Sequence, residues 1–312
     1  MVTIVILNYK GWQDTIACLA SLQNQTMQDF RVVVADNGSQ DESLEQIRHW
    51  AQDSSFTDRL TLLPFNENYG FAKGNNMAIE AVKDQPADYF WCLNNDTVVV
   101  PDCLERLVAY MDTHNEVSVA SPAIRLYDRQ DTLWNAGGKL VFGGRRYFYA
   151  MQPASVLDGI RVLPVTFVTG CALLVRAELI AQTPLFTERF FFGEEDFNFS
   201  LRMQSEGHRM VCVTDAVLYH KVGSAQTDIV SYNKLFVYLL NRLIDLRTAY
   251  PAWKYRLWIS LYLPMIRFKF LRRMSCKEQR QFVQLLRREA AQNDGVSRTL
   301  YQHYINYPFV HE

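Results

Sequence analysis

The sequence has no C-x-x-C pair, no excess of either charge, no glycine-rich phosphate loop and no membrane-length apolar run. Each absence excludes something. The cysteines Cys18, Cys92, Cys103, Cys171, Cys212 and Cys276 are scattered, which argues against a disulfide-stapled scaffold. They read as reduced, mostly buried thiols of a cytosolic protein. Lys and Arg total 32 against 33 Asp and Glu, so a generic polyanion binder is not indicated. No G-x-G-x-x-G follows the first apolar run, and no G-x-x-x-x-G-K-[ST] occurs anywhere. That argues against a dinucleotide oxidoreductase and a P-loop enzyme. The longest apolar candidate, residues 258–266, is about half the ~18 residues a spanning helix needs, and it contains Pro264. Residues 1–7 have neither a basic leader nor a small-residue cleavage site, so they read as a strand rather than a secretory signal.

What is present is an ordinary globular composition, 49% hydrophobic and 21% charged over 312 residues, enough for one large domain or two modest ones. The first hundred residues alternate two periods. Continuous β-rich runs at 2–7, 30–35, 60–64 and 89–93 read as strands buried on both faces. Helical spacing fills 11–22, 43–51, 71–82 and 102–111. Such alternation predicts an α/β fold with a doubly wound, mainly parallel, Rossmann-like sheet. Residues 124–150 are rich in glycine and aromatics and predict hairpins or a flap, 162–175 a strand, 196–206 a short helix, and 210–213 and 217–219 short strands. The first domain is expected to span 1–225. A helical extension over 226–312 follows, with helices at 232–250, 253–273 and 277–291. Residues 242–290 carry twelve Lys and Arg against three acids, a net +9 that leaves −10 for the rest.

In a doubly wound sheet, ligands bind beyond the carboxyl ends of the strands. There the sequence places Asn8-Tyr9-Lys10-Gly11, Asp36-Asn37-Gly38-Ser39, Asn66 to Phe71, and Asn94-Asn95-Asp96-Thr97. Asp36 is either a turn residue making an Asx bond or a carboxylate accepting from a nucleobase or ribose. Asp96 is either a turn or N-cap residue ahead of Pro101, or an oxygen ligand holding a hard cation against a diphosphate. Glu194, Glu195 and Asp196 follow an aromatic run and open a helix, where the dipole favours acids. Successive helical residues point ~100° apart, so at most one of the three aims at a given atom. An acid wedged among Phe190, Phe191, Phe192 and Phe197 gains proton affinity, which a general base needs. His220 is either a hydrogen-bonded structural residue, a metal ligand or a phosphate contact.

Taken in order, Val5-Ile-Leu-Asn-Tyr, Val33-Val-Ala-Asp-Asn-Gly-Ser-Gln-Asp, Asn68-Tyr-Gly-Phe-Ala-Lys-Gly-Asn-Asn, Leu93-Asn-Asn-Asp-Thr, Val168-Thr-Gly-Cys-Ala-Leu-Leu-Val-Arg and Phe191-Phe-Gly-Glu-Glu-Asp resemble family 2 glycosyltransferases. These are inverting, nucleotide-sugar-dependent enzymes of the GT-A fold. The match looks nearest to the bacterial rhamnosyltransferases of O-antigen and cell-wall synthesis, which Asn241-Arg242 also fits. The resemblance implies a nucleoside-diphosphate sugar donor, with dTDP-rhamnose favoured, and a saccharide or lipid-linked saccharide acceptor. It implies that Asp36, supported by Asn8 and Tyr9, meets the donor base. Asn68, Gly70, Lys73, Asn76 and Asn95 would line the donor site. Asp96, with His220, would hold Mg²⁺ or Mn²⁺. Asp196 would be the catalytic base, with Glu195 the next candidate. Asn94 departs from the first acid of the family's D-x-D motif, and Asn198 stands where a further acid is usual.

Two other classes compete. A glycoside hydrolase would use paired carboxylates but has little use for the segment 36–41. A non-catalytic sugar-nucleotide-binding subunit would have no need to retain Asp36, Asp96 and Asp196 together. The tail interleaves Trp253, Tyr255 and Trp258 with Lys254 and Arg256, and Phe268 and Phe270 with Arg267, Lys269, Arg272 and Arg273. This is either a solvated basic helix face or a peripheral surface for an anionic membrane. Nucleic acid is disfavoured, given the neutral total and the lack of a binding motif. The expected location is cytoplasmic, with peripheral contact at the cytoplasmic face of the inner membrane.

Overall fold

The computed structural model describes residues 1–181, 184–222 and 232–309. The chain opens with β1 (Val2–Asn8), α1 (Trp12–Gln23), β2 (Phe30–Asp36), α2 (Ser43–Gln52), β3 (Leu60–Pro64), α3 (Phe71–Glu80) and β4 (Tyr89–Asn94). It continues with β5 (Thr97–Val99), α4 (Cys103–Thr113), β6 (Val117–Leu126), β7 (Leu133–Asn135), and the hairpin β8 (Gly138–Val141) and β9 (Gly144–Tyr147). Then come β10 (Val162–Val165), β11 (Ala172–Arg176), α5 (Glu195–Ser205) and β12 (Arg209–His220). Four helices close it: α6 (Tyr232–Ala249), α7 (Ala252–Lys269), α8 (Cys276–Gln292) and α9 (Arg298–Ile305).

The main sheet runs β10-β12-β6-β11-β4-β1-β2-β3, with β5 on β12 and β7 on β6. β3, β2, β1 and β4 are mutually parallel. Beyond them the sheet is mixed, since β11 runs antiparallel to β4 and β6 while β12 is parallel to β6. After β3 the chain returns to the far side of β1. The topological switch point therefore lies between the carboxyl ends of β1 and β4.

The first strands are continuously apolar because both faces are covered. Ile4, Ile6, Val32, Val34, Trp91 and Leu93 pack with Leu19 and Leu107 on one side. Their alternates Val5, Val33, Ala35, Phe90 and Cys92 pack with Ala78, Ile79 and Phe199 on the other. A third core joins Leu235, Phe236, Leu240, Trp258, Phe282 and Leu286 of the last helices to Phe167, Phe190 and Phe197. The C-terminal helices thus share a core with the segment preceding and opening α5. The expected boundary at 225/226 lies outside the described residues. Cys18, Cys92, Cys103, Cys171 and Cys212 are buried free thiols, and Cys276 is exposed.

Three stretches differ from the sequence expectation. Residues 162–175 form two strands, β10 at the sheet edge and β11 between β4 and β6. An apolar run does not show where a buried chain crosses between strand positions. The two short strands expected at 210–213 and 217–219 are one strand, β12, with a register shift between Val213 and Val217. Its polar interruption Thr214-Asp215 is a bulge and not a break. α9 was not expected; its N-cap Ser297 accepts from the Leu300 backbone N–H.

The flap β8–β9 turns at Gly143, which has φ +70°, and a Cβ there would lie 1.6 Å from Trp258 Nε1 of α7. Gly143→Ala combines left-handed strain with overpacking. It should lower unfolding free energy by about 2–4 kcal/mol, read by urea denaturation. A change below 0.5 kcal/mol would mean the flap does not rest on α7.

Candidate active site

The donor-side expectations converge because three parallel strands end together. Asn8 lies beside Asp36, and Leu7 beside Asn94, in the β1–β2 and β1–β4 registers. Asn8 is fully buried and ties the strand ends together. Its Nδ2 donates to Asp36 Oδ1 (2.7 Å), and its Oδ1 accepts from the Thr15 hydroxyl (2.9 Å). Thr15 in turn accepts from Asn95 Nδ2 (3.1 Å). Asp36 also accepts from the Ser39 backbone N–H (3.1 Å) and the Ser39 hydroxyl. The turn foreseen for Asp36 is therefore present, its side-chain bond reaching the backbone N–H three residues on. A carboxylate offers about four acceptor sites, so those three bonds leave capacity for one more donor. Tyr9 is exposed beside this corner.

The 66–70 loop docks onto the same corner. Asn37 Nδ2 donates to Asn68 Oδ1 (3.1 Å) and to the Gly70 carbonyl (3.1 Å), and the Tyr69 N–H donates to Asn37 Oδ1 (3.0 Å). Lys73 is exposed, with Nζ 5.1 Å from the Tyr69 ring centre. Gly70 has φ +82°, and a Cβ there would fall 2.0 Å from the Phe191 carbonyl. Only a glycine lets the loop touch the acid-bearing segment. Asn76 stands apart from this group. Its amide donates to the Phe186 carbonyl (2.8 Å) and its Oδ1 accepts from the Phe186 N–H (3.0 Å), so both ends are committed to a neighbouring turn.

His220 reaches Asp96 through sheet register. β12 ends by pairing antiparallel with β5, which sets His220 opposite Thr97. His220 Nε2 is then 3.1 Å from Asp96 Oδ1. Burial alone would strip the imidazolium of its proton, but the nearby Cys171 sulfur and the Asp96 carboxylate outweigh it and carry the group up to about 10. Burial also pushes the Cys171 thiol up, so Asp96 is the anion responsible. His220 Nδ1 is buried without a partner. Among the described residues, no three His, Cys, Asp or Glu side chains meet as a metal cluster. Only with the His220 proton displaced would that imidazole and the Asp96 carboxylate suit a divalent cation that takes its remaining oxygens from a diphosphate and water.

The three acids of the 194–196 turn have three different surroundings. Gly193 and Glu194 are both left-handed, with φ 88° and 67°, so the chain twists sharply before α5. Glu194 turns inward and takes Arg242 of α6, with Nε 2.9 and 3.0 Å from its two oxygens. Arg242 is 1% exposed, stacks 3.6 Å over Phe197 and donates to the Gly143 carbonyl (3.0 Å). Glu195 has a buried oxygen with no hydrogen-bond partner. Burial, then the Asp196 charge, pushes its carboxyl up to about 8. Asp196 stays partly open to solvent, 3.5 Å from Arg145 of the flap. Asn198 donates to Asp245 Oδ1 of α6 (2.6 Å), and burial, then Glu194, raises Asp245 to about 7.

Arg145 had no sequence signal beyond its place in a glycine-rich flap. Arg242 appeared only as part of a family pattern, with no partner to give it meaning. Neither ion pair is local, being separated by 51 and 48 positions.

Replacing Arg242 by Met strands Glu194 in the core, so it should cost about 3–5 kcal/mol, read as a fall in melting temperature. Arg242→Lys should recover part of that loss. For Glu195 the folded value, about 8, lies above the ordinary 4.5. Stability is therefore full below pH 4.5 and declines as pH rises through 8. Glu195→Gln should flatten that decline, leaving the Asp245 contribution in place. Melting curves between pH 5 and 9 that coincide in slope for both proteins would contradict the assignment.

Residues 3–182 match the family model described as Glycosyl transferase family 2. The chain is 22% identical over 224 residues to the amylovoran biosynthesis glycosyltransferase AmsE of Erwinia amylovora, across 72% of this chain and 76% of that protein. It is 25% identical over 252 residues to the N-acetylglucosaminyl-diphospho-decaprenol L-rhamnosyltransferase of Mycobacterium tuberculosis, across 73% and 79%. Against the bifunctional glycosyltransferase pgtA of Dictyostelium discoideum it is 25% identical over 122 residues, 39% of this chain but only 16% of that longer protein. Among solved structures, S. aureus TarS residues 1–349 aligns over 97% of this chain and 90% of its own, with TM-score 0.58 and 14% identity. The mannosyltransferase PcManGT of Pyrobaculum calidifontis, solved with GDP-Man and Mn2+, aligns over 97% and 84%, with TM-score 0.55 and 16% identity. The fold is GT-A. With its matched segment covering more than half of its length, this chain belongs to glycosyltransferase family 2.

Proposed function

We propose that this protein transfers a hexose, with rhamnose from dTDP-rhamnose favoured, to a hydroxyl of a saccharide or lipid-linked saccharide, inverting the anomeric centre. The product would belong to a bacterial surface polysaccharide. One observation carries the reading: of the three acids on the 194–196 turn, Asp196 alone is neither locked in the buried Arg242 pair nor left with an oxygen buried without a partner. Glu194 is taken by Arg242. Glu195 has one oxygen buried without a partner, and burial, then the Asp196 charge, raises its carboxyl to about 8. The turn also abuts the 66–70 loop at Gly70 and Phe191, which brings base and donor sides together.

In the proposed reaction an acceptor oxygen attacks the anomeric carbon as the bond from that carbon to the phosphate oxygen breaks. The electron pair leaves with the nucleoside diphosphate, and the acceptor's proton passes to Asp196. A single displacement inverts the centre and needs no protein nucleophile. Asp36 would accept from the base and Tyr9 would offer it a flat aromatic face. Lys73 would meet donor oxygens. Asp96 and His220 would hold Mg²⁺ or Mn²⁺, which supplies positive charge to the departing diphosphate. The Mn2+ in the mannosyltransferase structure and the name L-rhamnosyltransferase of the mycobacterial relative support the cation and the sugar.

Asp196→Asn should lower kcat by ~10²–10⁴ while donor affinity holds, because the base acts only in the chemical step. Asp36→Ala should instead weaken donor binding about tenfold. Both are read by acceptor-dependent release of nucleoside diphosphate and by thermal shifts with dTDP-, UDP- and GDP-sugars, with and without Mn²⁺. Wild-type turnover in Asp196→Asn would move the base elsewhere. Release independent of acceptor would favour hydrolysis.

A further inference from the structure

α7 is apolar on two opposite sides. On one side Trp258, Leu263 and Ile266 are buried in the third core, with Tyr255, Ile259 and Tyr262 packed against it. On the other, Trp253, Leu257, Leu261, Met265 and Phe268 follow one another at three- and four-residue steps. That spacing keeps them on one stripe. Yet Trp253 is 69% exposed, Leu261 60% and Phe268 86%. An isolated exposed leucine needs no account, but a continuous stripe of large side chains along a whole helix does.

The charge around the stripe identifies its occupant. Between residues 252 and 276 there are six cations, Lys254, Arg256, Arg267, Lys269, Arg272 and Arg273, and no acid. A second copy of the chain meeting this face symmetrically would set six cations against six. An anionic bilayer supplies both an apolar phase for the stripe and counter-charge for its flanks. Trp and Phe suit the headgroup boundary. No helix among the described residues is long and apolar enough to cross a membrane, so α7 would lie along the surface.

We propose that α7 is a membrane-docking helix whose outer stripe, Trp253 to Phe268, lies in the headgroup layer of an anionic bilayer. Its inner face meanwhile supports the flap. Trp258 underlies Gly143, Gly143 accepts from Arg242, and the flap carries Arg145 to Asp196. This inference is independent of the catalytic reading, because binding is scored without turnover.

Removing everything beyond residue 240 is not a usable test. It would delete Arg242 and most of the third core. The full chain should instead be floated with vesicles of phosphatidylcholine alone and of phosphatidylcholine with phosphatidylglycerol, at low and high salt. Wild type should float with the anionic vesicles at low salt. Leu261→Glu/Phe268→Glu should lower binding about tenfold or more. Arg272→Ser/Arg273→Ser, beyond the helix end, should lower it about fivefold per cation. Both variants should keep the wild-type melting temperature, since these side chains are exposed. Failure of wild type to float, or equal flotation of the Glu variant, would overturn the proposal. So would a dimer, formed without vesicles, that Leu261→Glu splits.

Discussion

The site depends on a buried ion pair, Glu194 with Arg242. Both side chains are withdrawn from water. Desolvating two charges is expensive, and their attraction offsets that cost only when the remaining hydrogen-bonding capacity is met. Here it is met in several ways. Arg242 reaches both Glu194 oxygens, the Gly143 carbonyl and the Tyr238 hydroxyl, and lies flat on Phe197. The pair thereby fastens three elements at one point: the acid turn, the flap and α6. A hydrophobic replacement of equal volume would fill the space, but it would not fix the left-handed backbone at Glu194 that sends its two neighbours in separate directions.

The two halves of the site are built on different principles. The Asp36 side is a property of the sheet. Its polar residues are the last residues of adjacent parallel strands, and the Asn8 network locks them with short-range geometry that any doubly wound sheet offers at its switch point. The acid side has no such frame. It sits on a turn whose position is set by contacts from α6 and the β8–β9 hairpin. The +9 helical region and the −10 remainder are therefore joined at the chemistry itself, with Arg242 meeting Glu194 across that divide.

This division explains what was readable from the residues. The four parallel strands and their helices are local patterns, apolar runs of strand length separated by helical spacing, and they appear within a few residues of where they were expected. The proximity of His220 to Asp96 was readable only through resemblance, because it arises from β5–β12 register across 124 positions. Arg145 was not readable at all. An arginine in a flap has no distinguishing pattern until the hairpin is folded over α5. Asn76, a polar residue inside a motif, has its amide engaged with the Phe186 turn, a contact that sequence spacing does not show. Glu195 and Asp196 are adjacent in sequence and equally acidic. One Glu195 oxygen is buried without a partner while Asp196 meets Arg145, a difference that composition does not carry.

Asn198 is the clearest case of a departure with a physical cause. A second acid two residues after Asp196 would lie on the face of α5 that meets α6. There it would oppose Asp245, fully buried and 2.6 Å from the Asn198 amide nitrogen. Two carboxylates at that distance share one proton or repel. An asparagine supplies the donor that Asp245 needs, and Arg189, 3.6 Å away, supplies a cation. The negative charge has in effect moved from α5 to α6. Position 198 could not be acidic without a compensating loss at 245, so the absence of that acid reflects the packing of the last helices and not a weakened site. By the same reasoning Asp196 is left with Arg145 as its one charged neighbour within ion-pair distance among the described residues. That arginine rides on a hairpin whose turn rests on α7. The environment of Asp196 is therefore set at a distance by the helix whose other side faces out of the molecule.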